Sequence, residues 1–195
     1  MFPFALSIQW KNTESGQINI CPVILATESQ RKMDKPNSGY FQLQQAVEVS
    51  YTFAKHGVEF MFIGKSGAIL LGYPSTTQDV DLFPNKSKEN GQRILAAITE
   101  LGFERSSEIE GKILNGADFV QLKNGPFDLD LVFAPDGIES FEAAKKRMTV
   151  IDGFPVANIG DIIASKKASG REKDLIDLPL LEDFKEEFEK RQRGE

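Results

Sequence analysis

The sequence predicts a mixed α/β fold, a small mixed sheet with flanking helices and a helical C-terminal part. Two observations carry this. Short apolar runs alternate with helix-period segments from residue 40 onward, and the last stretch, beyond residue 159, is helical in pattern throughout. With 195 residues, 41% of them hydrophobic, the chain has room for one main domain with a real core.

Residues 1–32 show little periodicity, although 17–27 carry a strand pattern, and 33–39 read as a loop through Pro36, Asn37, Ser38 and Gly39. Residues 1–39 are therefore expected to form an N-terminal arm, with Met33 as an alternative functional start. In 40–56, Phe41, Ala46, Val49 and Phe53 recur at near-helical spacing, and Gly57 closes that helix. Residues 58–63 form an apolar strand broken only by Glu59. A short helix over 66–71 ends at Gly72, Tyr73 and Pro74, and 80–83 is the next strand. Over 88–101, Ile94, Leu95, Ile98 and Leu101 share one side of a helix that stops at Gly102. Strands follow at 119–122 and 127–133, on either side of the turn Asn124-Gly125-Pro126. Residues 138–146 read as helix, 150–156 as a short hairpin, 159–168 as helix, and 173–191 as one or two more. Residues 183–195 are expected as a charged tail or a solvated helix face.

Several function classes drop out. The net charge of −6 gives no support for a strongly basic nucleic-acid binder. A lone Cys21 cannot pair within the chain, and no Cys/His group has zinc spacing. His56, the single histidine, lies beside a helix-stop signal and reads as a helix-end residue rather than a base. No apolar run approaches the ~20 residues of a membrane span. The first residues lack the basic flank of a signal peptide, so a cytoplasmic location is the default expectation.

The chemistry concentrates in residues 62–82. An apolar strand runs into the turn Gly64-Lys65-Ser66, and the next strand carries Asp79-Val80-Asp81. Alternation along a strand turns both carboxylates to one face. Their mutual repulsion is offset by a hard divalent cation, and Mg²⁺ prefers one or two carboxylates plus substrate phosphates. The turn at 64–66 aims backbone N–H groups at such phosphates. A P-loop is excluded, because Glu59 stands where that motif needs glycine.

These residues resemble the nucleotidyltransferase superfamily, the fold of DNA polymerase beta. They are most similar to its minimal, toxin-type members of abortive-infection and toxin–antitoxin modules. Gly64, Gly72, Pro74, Thr77, Asp79 and Asp81 match the first motif of those proteins. The stretch from Asp161 through Lys166, Gly170, Arg171, Lys173 and Asp174 to Asp177 is similar to a second. The resemblance covers about residues 40–182. It implies a Mg²⁺- or Mn²⁺-dependent transfer of a nucleotidyl group from a nucleoside triphosphate to a hydroxyl acceptor on tRNA, protein or a small molecule, with an antitoxin as a further partner.

By that resemblance Asp79 and Asp81 hold metal and a third carboxylate completes the site. Asp128 and Asp130 both qualify, and Asp130 is favoured because Leu131 and Val132 follow it directly. Gly64, Lys65, Ser66, Thr77 and Lys166 would contact the nucleotide, Lys166 as a point charge on the triphosphate. The chain departs from the family pattern at Lys65, in place of a second glycine, at Gly67 in place of Ala, and at Ser75 in place of Arg. Lys65 either adds a cation for the triphosphate or marks a silent, nucleotide-binding module. A Mg²⁺–nucleotide-binding regulator without transfer is a third reading. Bland readings stand beside these. Asp79 and Asp81 also fit solvated strand-end acids, Lys166 and Lys167 a helix C-terminus, and Arg171 with Asp174 an ordinary helix ion pair.

Overall fold

Turn chemistry and apolar period set the elements of the computed structural model. It describes the backbone of residues 10–12 and 18–20 and all of residues 40–194. The first pieces, β1 (Trp10–Asn12) and β2 (Ile18–Ile20), form an antiparallel pair. The rest of the expected arm, with Met33 and Cys21, lies outside the described residues.

Helix α1 (Leu43–Lys55) opens with a capping box between Gln42 and Gln45, and His56 followed by left-handed Gly57 ends it. Its buried Ala46, Val49 and Phe53 are the stripe read in the sequence. Strand β3 (Phe60–Phe62) leads into α2 (Gly64–Leu70), which begins two residues before the expected start of that helix. Then come β4 (Asp79–Pro84) and α3 (Lys88–Glu100), the latter capped by the Ser87 hydroxyl.

Helix α4 (Ser107–Leu114) has no counterpart in the sequence reading. It fully buries only Ile113, with Ile109 and Leu114 partly buried against the core, so its apolar stripe is short; its other signals are the Ser106 cap and the acids Glu108 and Glu110 in the first turn. Strands β5 (Phe119–Leu122) and β6 (Asp128–Val132) follow, then α5 (Phe141–Arg147). The hairpin β7 (Thr149–Ile151) and β8 (Phe154–Val156) turns through Asp152 and Gly153, both at positive φ. Helix α6 (Ile159–Ser169) ends at left-handed Gly170, and α7 (Glu172–Arg193) is one helix running through Pro179. Residues 183–193 are thus its last turns, and Phe184 and Phe188 pack against the core from it.

Six strands form one mixed sheet in the order β5-β6-β4-β3-β8-β7. β3 is antiparallel to β4 and parallel to β8, while β4 is parallel to β6. The described residues add seven helices to it, so the expected mixed α/β class is the observed one. The sheet's central strands are apolar on both faces except where β4 and β6 carry acids. Phe62, Val80, Leu82, Leu129 and Leu131 are fully buried. No helix among the described residues is long and apolar enough to cross a membrane.

Candidate functional site

Register brings the acids together. In the parallel pair β4 and β6, Asp79 lies opposite Asp128 and Asp81 opposite Asp130. Residues paired in adjacent strands point to the same face, so four carboxylates share one side while Val80 and Leu129 turn into the core on the other.

Asp81 is the most perturbed of them. Its carboxyl is pushed up to about 7, first by burial and then by the charge of Asp130, with Asp79 adding to the push. A hydrogen bond from the Ser66 backbone and the charge of Lys166 oppose the rise. The reason for the burial is local. Gly64 sits at φ +62, and a Cβ there would lie 2.6 Å from Asp81 Oδ2 and 2.8 Å from its Cγ. The bare backbone at the start of α2 therefore closes over the carboxylate.

Asp130 is also raised, by burial first, against a hydrogen bond from Gln121 and, more weakly, the charge of Lys123; Asp79 and Asp128 raise it further. Its Oδ1 is buried and has no hydrogen-bond partner among the described residues. An orphaned carboxylate oxygen beside a second raised carboxyl fits a divalent cation, which would supply the missing partner and remove the repulsion. No three acidic, Cys or His side chains among the described residues are gathered closely enough to form a finished metal cage.

The cations lie toward α7. Lys166 of α6 is buried, with its Nζ 2.8 Å from Asp174 Oδ1 and 3.8 Å from Asp177 Oδ2. Lys65 Nζ lies 2.6 Å from the same Asp177 oxygen. Asp174 also accepts from Ser169 Oγ at 3.0 Å and from Arg171 Nε. Burial would raise the Asp174 carboxyl, but the hydrogen bonds from Lys166 and Arg171 outweigh it and draw it down to about 2. The expected Arg171–Asp174 ion pair is thus one edge of a wider network joining α2, α6 and α7.

The remaining candidates fall as follows. The Ser66 hydroxyl is buried inside the fold, accepting the Asp81 N–H at 2.9 Å and lying 3.3 Å from the Ile63 carbonyl. Thr77 ties the loop before β4 to the start of α1, its carbonyl accepting the Phe41 N–H at 2.7 Å. His56 bonds Glu100 at 2.8 Å, at the helix end foreseen for it. A hollow of about 280 Å³ lined by Phe41, Leu43, Ile69, Leu70, Asp152 and Phe154 opens at the far end of α2 and contains none of the candidate residues.

Sequence reasoning missed the roles of Asp177, Gln121 and Tyr73. Tyr73 has its hydroxyl raised by burial and then by Asp177, with Lys65 opposing. The spacing of Asp174 and Asp177 signals a shared helix face, but nothing local says that Lys65 reaches it.

The chain matches no protein-family model and no curated protein sequence. Among solved structures it is similar to the solution structure of the antibiotic-resistance factor ANT(2'')-Ia. The two are 16% identical, the match covers 79% of this chain and 96% of that one, and the TM-score is 0.48.

Proposed function

We propose that this chain is a nucleotidyltransferase that takes a nucleoside triphosphate and moves its nucleotidyl group to a hydroxyl. The observation that carries the reading is the pairing of Asp79-x-Asp81 with Asp130 across β4 and β6, with Asp81 raised to about 7 and Asp130 Oδ1 left without a partner. Such an arrangement destabilises the fold on its own, and perturbed carboxyls of this kind concentrate at functional sites.

Asp79, Asp81 and Asp130 would hold Mg²⁺ or Mn²⁺. All their donors are hard carboxylate oxygens, and a loose set suits Mg²⁺, which keeps waters and substrate phosphates as ligands. The ion would supply positive charge to the triphosphate and to the departing pyrophosphate. The chain's own residues do the positioning. Gly64 lets the α2 backbone come close to Asp81, Lys166 places positive charge near that carboxylate, and Lys65 would offer its ammonium to the triphosphate. The acceptor oxygen would attack the α-phosphorus as the bond to the α–β bridging oxygen breaks, pyrophosphate leaving and the hydroxyl proton passing to water, so no covalent intermediate with the protein is needed.

The acceptor would be tRNA, a protein or a small molecule. The likeness of the motifs to toxin-type enzymes is the reason to try the first two, and it is also the reason to look for an antitoxin partner. A second reading is a catalytically silent module, favoured by the engagement of Lys65 with Asp177. One experiment separates them. Each of the four nucleoside triphosphates, radiolabelled at the α-phosphate, is incubated with Mg²⁺ or Mn²⁺ and with total RNA or total protein. Label that enters one pool and is lost in the Asp79→Asn/Asp81→Asn variant supports the enzyme. Nucleotide binding with no transfer to any pool or small-molecule hydroxyl supports the silent module.

A further inference from the structure

Two lysines converge on one carboxylate oxygen beside the acid cluster. Lys65 Nζ lies 2.6 Å from Asp177 Oδ2 and Lys166 Nζ 3.8 Å from it. The two are not equivalent. Lys166 is buried and has a closer partner in Asp174, at 2.8 Å. Lys65 is 27% exposed, and among the described residues Asp177 is its one carboxylate partner. Lys65 also follows Gly64, the residue whose backbone presses on the Asp81 carboxylate.

A lysine–carboxylate pair that water still reaches, as here with 27% and 19% exposure, is a modest interaction. A polyphosphate offers more charge and stronger acceptors than one carboxylate. If Lys65 left, Asp177 would not be stranded, since Lys166 is already within reach of the same oxygen. Exchange of partners therefore leaves no buried charge uncompensated.

We propose that Asp177 is an internal stand-in for substrate phosphate: it holds Lys65 until a triphosphate takes the ammonium over, and Lys166 then keeps Asp177. The proposal rests on the nucleotidyltransferase reading and names the residue that sets affinity for the triphosphate. Asp177 is a positioning residue that competes with the substrate for Lys65.

The test is calorimetric binding of inorganic tripolyphosphate with Mg²⁺ to the full chain and to Asp177→Asn, Lys65→Met and the double variant, with melting curves to confirm folding. Asp177→Asn is expected to bind about fivefold more tightly, the scale set by losing a partly exposed ion pair. Lys65→Met is expected to bind more weakly than wild type, and in its background the gain from Asp177→Asn should largely vanish. Weaker or unchanged binding by Asp177→Asn overturns the proposal. So does an equal gain without Lys65, which would be general charge removal. Should Asp177→Asn not fold, Lys65→Met decides alone, because it leaves the Lys166–Asp174 pair in place; unchanged affinity there sinks the idea. The label-transfer assay fails or succeeds separately. Transfer without the exchange signature overturns this inference alone, whereas the signature without transfer overturns the enzyme reading alone.

Discussion

Gly64→Ala isolates the contact that creates the site. Gly64 has φ +62, and an added Cβ would stand 2.6 Å from Asp81 Oδ2 and 2.8 Å from Cγ, well inside van der Waals contact. Two penalties add. A left-handed backbone costs an L-residue about 1–2 kcal/mol. Forcing a methyl into an occupied space costs typically about 1–3 kcal/mol more. Gly170 is the internal control. Its φ is +61, but nothing lies within 4 Å of its Cβ position. Gly170→Ala therefore carries the first penalty only. Urea unfolding of both variants should place Gly64→Ala about 1–3 kcal/mol below Gly170→Ala. Truncating the other partner should shrink that gap, so Gly64→Ala in an Asp81→Ala background is expected to approach the control. Equal losses at the two glycines would refute the close approach of the α2 backbone to Asp81, and with it the physical account of the raised carboxyl.

Other outcomes follow from the same geometry. The folded chain keeps the Asp81 proton up to about pH 7, whereas an unperturbed Asp releases it near 3.8, so stability should fall as pH rises through that window. Asp81→Asn should flatten that slope and raise stability at pH 8 by a few kcal/mol, read from urea midpoints across pH. Asp174 runs the other way. Its carboxyl is drawn down to about 2, so its contribution is present above about pH 4 and is lost as pH falls through 2. Asp174→Asn leaves buried Lys166 without its nearest counter-charge and should cost about 3 kcal/mol. By contrast, Lys167→Ala, which removes an exposed pair with Glu182, should stay within about 0.5 kcal/mol. Mg²⁺ at pH 8 is expected to raise the melting temperature by a few degrees in wild type and not in Asp79→Asn/Asp81→Asn. An equal shift in both would remove the carboxylates from the metal reading.

The sequence by itself determined most of the elements, because period and punctuation are local properties. The Asp79-x-Asp81 alternation, the stripe of Ala46, Val49 and Phe53, and the stops at Gly57 and Gly102 all act within a few residues of chain. It missed α4, an eight-residue helix whose apolar stripe is only Ile109, Ile113 and Leu114, too short a run to set a period by itself. The tertiary structure alone decided what meets across the chain. Parallel pairing of β4 with β6 puts Asp130 opposite Asp81, and packing of α2, α6 and α7 brings Lys65 to Asp177. A carboxylate's pKa depends on burial and on charges within a few ångströms, and those neighbours come from distant segments. Residue types and spacing therefore marked the acids, while the fold determined which of them carries the strain.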